Sequence, residues 1–549
     1  MDQPKNVIFW GAGATAKLGI RTTEDQTQFI WRITGSHDKP QPPLRKRIDE
    51  ALGENAAESL GAALSDLITI LGDRDENYKS IGNIDDGERE SMRRNWPGAH
   101  DKELDGRILH LRILYDWPAL KSVVHICPGS SAGTFKLNDL FNLLDMHGPL
   151  GFGVRAPVPF EGGGQFFDAR RLIGAKNALR MLLGALFYID YQACIRSKGD
   201  VLAQYLAFAS LLGHRMQRQG IDLACQYRLD QPEFYQGDVC FVSINYDPIA
   251  LWVQFIANRE LNNSASVPHI GSPAAPLHLF HDFGHLIPAR RVEGEEANWP
   301  WYPMNEAVAQ RLNEPSVSAS RVRLTKFLFP HGCLCWRECP DCGKLSSYHG
   351  DHWKLDASGL FPPPPLLAFD TEACPDRIKD KERTQRKKGM IDARACLHCR
   401  TLTYAHHTQT VMQSSFKSQP PSFIEEIQRD LRAVTMQANH IIFMGYSLPL
   451  DDVTYRAFFS ARCWRGKQTN ESVRCTVVNL DNKHPDWYGP TELKNQSPPT
   501  GGETVKAAQD IFGHDNVRFY GGGIPNVFLD GGIATDAALE RLLNWSSVL

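Results

Sequence analysis

The stretch VIFWGAGATAKLG, residues 7–19, decides the fold. Its first four residues are apolar and predict a short buried strand, and Gly11-Ala12-Gly13 then turns the chain. We expect a helix to begin at Ala14 or Thr15. A Gly-x-Gly turn between a strand and a helix lets the backbone approach a diphosphate, although many such turns are only tight connections.

Outward from this stretch, short apolar segments alternate with helical patterns. A helix is predicted near 422–438, and strands are predicted at 238–244, 325–330, 440–445, 474–480 and 517–523. Strands that alternate with helices are typical of a parallel, doubly wound sheet. We therefore predict an α/β protein with a Rossmann-like parallel sheet built from residues 1–29 and 231–549.

Residues 30–230 are predicted to be a large, mostly helical insertion. Apolar residues recur at helical spacing in 168–192 and 201–216, and an amphipathic helix is expected near 57–72. The charged stretch 73–102 and the Gly- and Pro-rich stretch 147–165 are expected to be loops. Because the predicted helices have apolar faces, the insertion should dock on the sheet as a separate layer or lobe.

The composition and charge of the chain limit the classes of protein to which it can belong. The chain has 549 residues, of which 42% are hydrophobic, and its net charge is −3, so nothing points to nucleic acid or to an anionic membrane. We expect no segment apolar enough to span a bilayer, and no signal peptide before the first strand. Thirteen cysteines, an odd number, suit a reducing compartment with a metal site. These features predict a cytoplasmic protein.

Two Cys-x-x-Cys pairs predict a structural zinc site. They are Cys339 with Cys342 and Cys396 with Cys399, separated by 53 residues. Four thiolates in two such turns suit tetrahedral Zn²⁺, and a closed site of this kind is structural, not catalytic. The alternative is that these are reduced core cysteines. We expect a small zinc-binding knuckle at about 333–405.

Five elements, in chain order, resemble the sirtuin family. Its motifs GAGxSxxSGIP, TQNID and GTSL correspond to GAGATAKLGIR (11–21), SINYD (243–247) and GYSL (445–448). His331-Gly332 matches the family's His-Gly, with the His eight residues before Cys339. Asn479, in VVNLD (477–481), matches the Asn that meets the adenine ribose. The resemblance covers both ends of the chain and leaves 25–235 outside.

The departures from the family pattern indicate a particular branch. Arg21-Thr22-Thr23-Glu24 stands where sirtuins have Pro-x-Phe-Arg, and Ile244 stands in place of the Gln of TQNID. The Phe-Gly-Glu strand that holds an acyl-lysine is not found, and SSFKSQPP (414–421) lies near its place. With the helical insertion, these departures resemble the bacterial sirtuin-like branch, many members of which are NAD hydrolases in antiphage defence.

The resemblance implies a role for each matched residue. Asn245 would bind a ribose hydroxyl and water, Asp247 would orient Asn245 or the nicotinamide amide, and His331 would be the general base. The residues expected to hold NAD⁺ are Gly11, Ala12, Gly13, Thr15, Gly445, Ser447 and Asn479. Structural alternatives stay open: Asn245 and Asp247 could cap the next helix, His331 could be a satisfied strand-end residue, and Ser447 a turn residue. For Asp451 and Asp452 a helix-capping role is preferred.

The expected function is an NAD⁺ glycohydrolase acting as an NAD-depleting effector of antiphage defence. Such an effector should be held inactive, so we expect a homo-oligomer and a regulatory protein partner or a phage-derived trigger. One alternative is an NAD-dependent protein deacylase, which needs a groove for an acyl-lysine strand. A second is a non-enzymatic module that binds NAD or ADP-ribose.

Overall fold

The protein is described by a computed structural model that covers residues 5–34, 42–72, 82–263, 277–281, 323–347 and 422–548, with short gaps inside these ranges. Its strands are β1 Asn6–Trp10, β2 Val154–Pro157, β3 Gly164–Phe167, β4 Tyr235–Ser243, β5 Leu277–His281, β6 Arg323–Leu328, β7 Trp336–Glu338, β8 Leu345–Ser347, β9 His440–Met444, β10 Arg474–Val478, β11 Trp487–Tyr488, β12 Val517–Tyr520, β13 Leu529–Asp530 and β14 Ile533–Ala534.

The α-helices follow the same numbering along the described chain. They are α1 Thr23–Thr34, α2 Leu44–Leu52, α3 Ala62–Gly72, α4 Asp86–Asn95, α5 Asp101–Leu114, α6 Trp117–Ile126, α7 Leu137–His147, α8 Ala169–Ser197, α9 Gly199–Gln226, α10 Ile249–Asn263, α11 Ser422–Gln437, α12 Val453–Thr469, α13 Pro490–Lys494, α14 Gly502–Phe512 and α15 Asp536–Leu543.

The main sheet has eight strands in the order β11-β12-β10-β9-β1-β4-β6-β5. All neighbouring pairs are parallel except β11 with β12, which is antiparallel at one edge. The predicted α/β class with a mostly parallel sheet is therefore confirmed. After β1 the chain adds β4, β5 and β6 on one side and then β9, β10 and β12 on the other, so the strand order reverses between β1 and β9.

Helices cover both faces of the sheet, and alternate residues of β1 point to opposite faces and contact different helices. The ring of Phe9 packs edge-on against Phe459 of α12, with 5.0 Å between ring centroids. The next residue, Trp10, packs against Tyr205 of α9 on the other face, at 6.0 Å. Every residue of β1 is buried, as the apolar run at this position predicts.

The buried apolar side chains form two clusters. One surrounds the main sheet, and the other is formed within residues 29–189 by helices α1 to α8. Helix α8 contributes to both, since Leu179 belongs to the second cluster and Phe187 and Tyr191 to the first. The helices predicted at 168–192 and 201–216 are present as α8 and α9.

Three local predictions were wrong. The stretch 73–102 is not all loop: it contains α4, whose Arg89 and Glu88 pair with Asp105 and Arg112 of α5, so its charges are neutralised between helices. The stretch 147–165 contains β2 and the start of β3, which pair as an antiparallel hairpin. No α-helix begins at 14 or 15; two short 3₁₀ turns, Ala12–Ala14 and Ala16–Leu18, follow β1 instead.

The prediction that no segment could span a bilayer also needs correction. By length and composition α8 is apolar enough to cross a membrane, with a mean hydropathy of 1.3 in its most apolar window. Within the fold, 72% of that window is buried. Its apolar side chains therefore pack within the two clusters described above.

Candidate functional site

A cleft lies at the carboxyl edge of the sheet, where β1, β4 and β9 end. It encloses about 680 Å³ including its open mouth, and its walls include residues that directly follow each of these three strands: Gly11, Ala12, Ile244, Asn245, Gly445 and Tyr446. In open parallel sheets, ligands bind outside the carboxyl ends of the strands where the strand order reverses. The cleft occupies that position, between β1 and β9.

The glycine turn after β1 interlocks with the loop after β9. A Cβ at Gly11 would lie 2.5 Å from the Gly445 carbonyl oxygen, and a Cβ at Gly445 would lie 2.1 Å from the Ala14 nitrogen. Gly445 also has a φ of +61°, in the left-handed region that favours glycine. The glycines at these positions are therefore required by the close approach of two backbones.

Most N–H groups of this turn donate within the protein. The Gly11 N–H donates to the Met444 carbonyl and the Gly13 N–H to the Gly445 carbonyl, both at 2.9 Å. The Ala14 and Thr15 N–H groups donate to the carbonyls of Gly11 and Ala12. Because the turn is not the start of an α-helix and its donors are used, it offers a ligand fewer N–H groups than the sequence predicted.

Asn245 and Asp247 both line the cleft, on the loop that leads from β4 to α10. Asp247 is 3% exposed, and its Oδ1 accepts a hydrogen bond of 3.1 Å from the Ile249 N–H at the start of α10. Burial raises the pKa of Asp247 to about 6, while the Ile249 N–H and the Asn245 side chain partly offset this shift by favouring the carboxylate. Asp247 therefore contributes to capping α10 and is a residue of the cleft wall whose carboxyl group has a raised pKa.

The other predicted ligand-binding residues fall into two groups. Ala12, Thr15 and Ser447 line the cleft; Ser447 is exposed, and the buried Thr15 hydroxyl donates to the Ala12 carbonyl at 3.3 Å. Gly13 and Asn479 are not among the lining residues. Asn479 directly follows β10, next to Val478, whose carbonyl accepts the Gly445 N–H at 2.9 Å, so it lies one strand away from the cleft.

His331 is close to the cleft but does not line it. Its side chain is fully buried, and its ring lies 6.3 Å from the Tyr246 ring and 5.5 Å from the Tyr455 ring, centroid to centroid. Tyr246 does line the cleft, and its carbonyl accepts a 2.8 Å hydrogen bond from the Leu334 N–H. This bond holds the turn that carries His331 against the loop after β4.

Sequence reasoning missed the contribution of the insertion to the cleft. Phe141 of α7 and Phe187 of α8 line it, and so does Arg21, which pairs with Asp190 of α8. Asp190 is 2% exposed, and burial raises its pKa to about 7 although the Arg21 guanidinium and N–H lower it. The available signal was a lone acid within the apolar face of a long helical pattern.

The preferred capping role was wrong for Asp452, and Asp451 lies outside the described residues. Asp452 occupies the N-cap position of α12, but its side chain makes no capping hydrogen bond. Its Oδ2 instead accepts a 2.6 Å hydrogen bond from the hydroxyl of Tyr446, a residue of the cleft wall. Asp452 therefore fixes the position of a side chain of the cleft.

The four cysteines of the predicted zinc site, Cys339, Cys342, Cys396 and Cys399, lie outside the described residues. The strands on either side of the first pair are described: β7 and β8 form an antiparallel ladder in which Glu338 pairs with Leu345. Within the described part of the chain, no group of three or more His, Cys, Asp or Glu side chains could hold a metal ion.

Fold and cleft together define a class: an α/β protein with a mostly parallel sheet and a cleft at its carboxyl edge. A scan of the chain against protein-family models finds no match, and a search of curated proteins finds no similar sequence.

Proposed function

We propose that this protein is an NAD⁺ glycohydrolase, which cleaves the nicotinamide–ribose bond to give nicotinamide and ADP-ribose. The observation that carries the proposal is the cleft at the strand-order reversal, where Asn245, Asp247 and Ser447 line one cavity with the glycine turn. Dinucleotides bind in crevices at this position in sheets of this kind. The resemblance of the same residues to sirtuin motifs supports NAD⁺ as the ligand.

In this reaction the protein mainly binds and orients the reactants, and little covalent chemistry is required of its side chains. The bond between the anomeric carbon and the nicotinamide nitrogen breaks, its electron pair leaves with nicotinamide, and water adds to the carbon and loses a proton. The Asn245 amide can hold both a ribose hydroxyl and the water, which supplies orientation. Asp247 carries negative charge above its pKa of about 6 and can stabilise the positive charge that develops on the ribose.

Two side chains are candidates for the group that accepts the proton. His331 has this role by resemblance, and it is buried beside Tyr246. Asp247 lies on the cleft wall, and its pKa of about 6 is near the range in which a general base is effective. Of the two residues Asp247 is the one that lines the cleft, so we expect it to be the nearer to the water, and variants of the two residues decide between them.

The remaining parts of the proposal rest on the sequence. The cysteines at 339, 342, 396 and 399 would hold structural Zn²⁺, and the β7–β8 ladder supports this because it pairs Glu338 with Leu345, which flank the first Cys-x-x-Cys pair in the sequence. We also propose a cytoplasmic antiphage effector that acts as a homo-oligomer under the control of a protein partner or a phage-derived trigger. The resemblance to the bacterial sirtuin-like branch supports this role.

The test is the release of nicotinamide from NAD⁺ by the purified full chain, followed by chromatography without any acylated peptide. We expect release by the wild type once it is assembled and triggered, and a loss of about 10²–10⁴-fold for whichever of His331→Ala and Asp247→Asn removes the general base. Asn245→Ala should lose a comparable amount. His514→Ala, which changes an exposed histidine, is the matched control and should retain full activity.

Two results would contradict the proposal, and each points to an alternative. Nicotinamide release that strictly requires an acylated peptide, with transfer of the acyl group to ADP-ribose, would make the protein a deacylase. Tight binding of NAD⁺ without nicotinamide release, in the assembled and triggered state, would make it a non-enzymatic binding module.

A further inference from the structure

Few of the side chains that line the cleft carry a charge. Among the side chains that line it in the described part of the chain, Arg21 is the one cation and Asp247 the one carboxylate. A dinucleotide carries a negative charge on each phosphate, and binding sites balance such charge with N–H donors or cations. Since the N–H groups of Gly11, Gly13 and Thr15 donate to protein carbonyls, Arg21 is the positively charged group of the described cleft wall that can supply this balance.

Arg21 is held at the cleft from two sides. Its main-chain N–H donates to Asp190 Oδ2 at 3.0 Å, and its guanidinium Nη1 donates to Asp190 Oδ1. Its carbonyl accepts a 3.0 Å hydrogen bond from the Gln26 side-chain amide of α1. A guanidinium has donors on three nitrogens, and among the described residues no hydrogen bond from Nε or Nη2 is found. These donors are available to a ligand, and the side chain is 29% exposed.

Asp190 is suited to position Arg21, not to contact a ligand. Its side chain is 2% exposed, whereas that of Arg21 is partly open to solvent. It lies on α8 less than one helical turn after Phe187, which lines the cleft. Asp190 therefore connects α8 to Arg21, and it limits the orientations of the Arg21 guanidinium.

We propose that Arg21 binds the diphosphate of the dinucleotide in this cleft and that Asp190 is its positioning residue. The proposal rests on the proposed function for the identity of the ligand, and it names the part of the ligand that Arg21 recognises. It also gives helix α8 a role, because α8 supplies Phe187 to the cleft wall and Asp190 to hold Arg21.

A purely structural role for the pair makes a different prediction. If Arg21 and Asp190 only anchor α8, removing them should weaken every ligand of the cleft alike. If Arg21 binds the diphosphate, removing its charge should weaken ligands that carry a diphosphate and leave uncharged nucleosides unaffected. The choice of ligand therefore separates the two roles.

The experiment measures binding of ADP-ribose and of adenosine to the full chain by calorimetry. We expect Arg21→Gln and the double variant Arg21→Gln/Asp190→Asn to lose about 10–100-fold in ADP-ribose affinity, with adenosine affinity unchanged. The double variant avoids leaving Asp190 buried without its cation. Asp190→Asn alone should show an intermediate loss. Lys17→Gln, which removes an exposed charge from the second 3₁₀ turn, should bind both ligands as the wild type does.

Arg21→Lys is the variant to measure if the neutral variants do not fold, since it keeps a cation beside Asp190. Lysine lacks the planar fork of arginine, so several-fold weaker ADP-ribose binding with unchanged adenosine binding is expected. Equal weakening of both ligands, unchanged ADP-ribose affinity in folded variants, or no ADP-ribose binding by the wild type would overturn the proposal. ADP-ribose binding that depends on Arg21, in an assembled and triggered wild type that releases no nicotinamide, would refute hydrolysis alone.

Discussion

Replacing Asp247 with asparagine should stabilise the protein at neutral pH. Burial in the loop before α10 raises the pKa of this carboxyl from 3.8 to about 6. At about 1.36 kcal/mol per pKa unit, the ionised carboxylate destabilises the folded state by about 3 kcal/mol. Asparagine keeps an oxygen for the 3.1 Å hydrogen bond from the Ile249 N–H and cannot ionise.

The sign of the effect follows from the direction of the pKa shift. The folded protein binds this proton more tightly than the unfolded chain, so the stability that the neutral carboxyl contributes is complete below about pH 3.8 and is lost as the pH rises through about 6. The gain from Asp247→Asn should therefore be about 3 kcal/mol at pH 8 and about half of that at pH 5.

Urea unfolding of wild type and variant at pH 5 and pH 8, followed by tryptophan fluorescence, measures this difference. Asp510→Asn, which neutralises an exposed carboxylate on α14, is the control and should show no comparable dependence on pH. A stability difference between Asp247→Asn and wild type that is the same at both pH values would refute the reasoning. The same variant should release nicotinamide more slowly, so the substitution should raise the stability of the protein and lower its activity.

Two further predictions concern the framework of the site. Gly445→Ala should destabilise the protein by several kcal/mol more than Gly531→Ala in thermal unfolding. Both glycines have φ near +60°. A Cβ at Gly531 would meet nothing within 4 Å, whereas a Cβ at Gly445 would meet the Ala14 nitrogen. Equal losses would show that the loops are not interlocked. Cys396→Ser should give poorly soluble or unfolded protein, because metal binding is coupled to folding. Elemental analysis that finds no zinc in well-folded wild type would contradict the predicted knuckle.

The order of the elements and part of the site could be predicted from local sequence. Runs such as 441–444 are apolar throughout, and such runs are typical of strands in a parallel sheet that helices cover on both faces. Since the carboxyl ends of parallel strands meet at one edge, the residues that follow β1, β4 and β9 had to lie close together. Asn245, Asp247 and Gly445 do line a common cleft.

The sequence by itself therefore determined the class of fold and the edge at which the cleft forms, because both depend on patterns a few residues long. Only the tertiary structure decided which distant residues complete the cleft. Arg21 and Asp190 are 169 positions apart, and helical periodicity identifies an apolar face without identifying what packs on it. The same holds for His331: its motif is local, but its burial beside Tyr246 and Tyr455 results from packing between the loop after β4, the turn after β6 and α12.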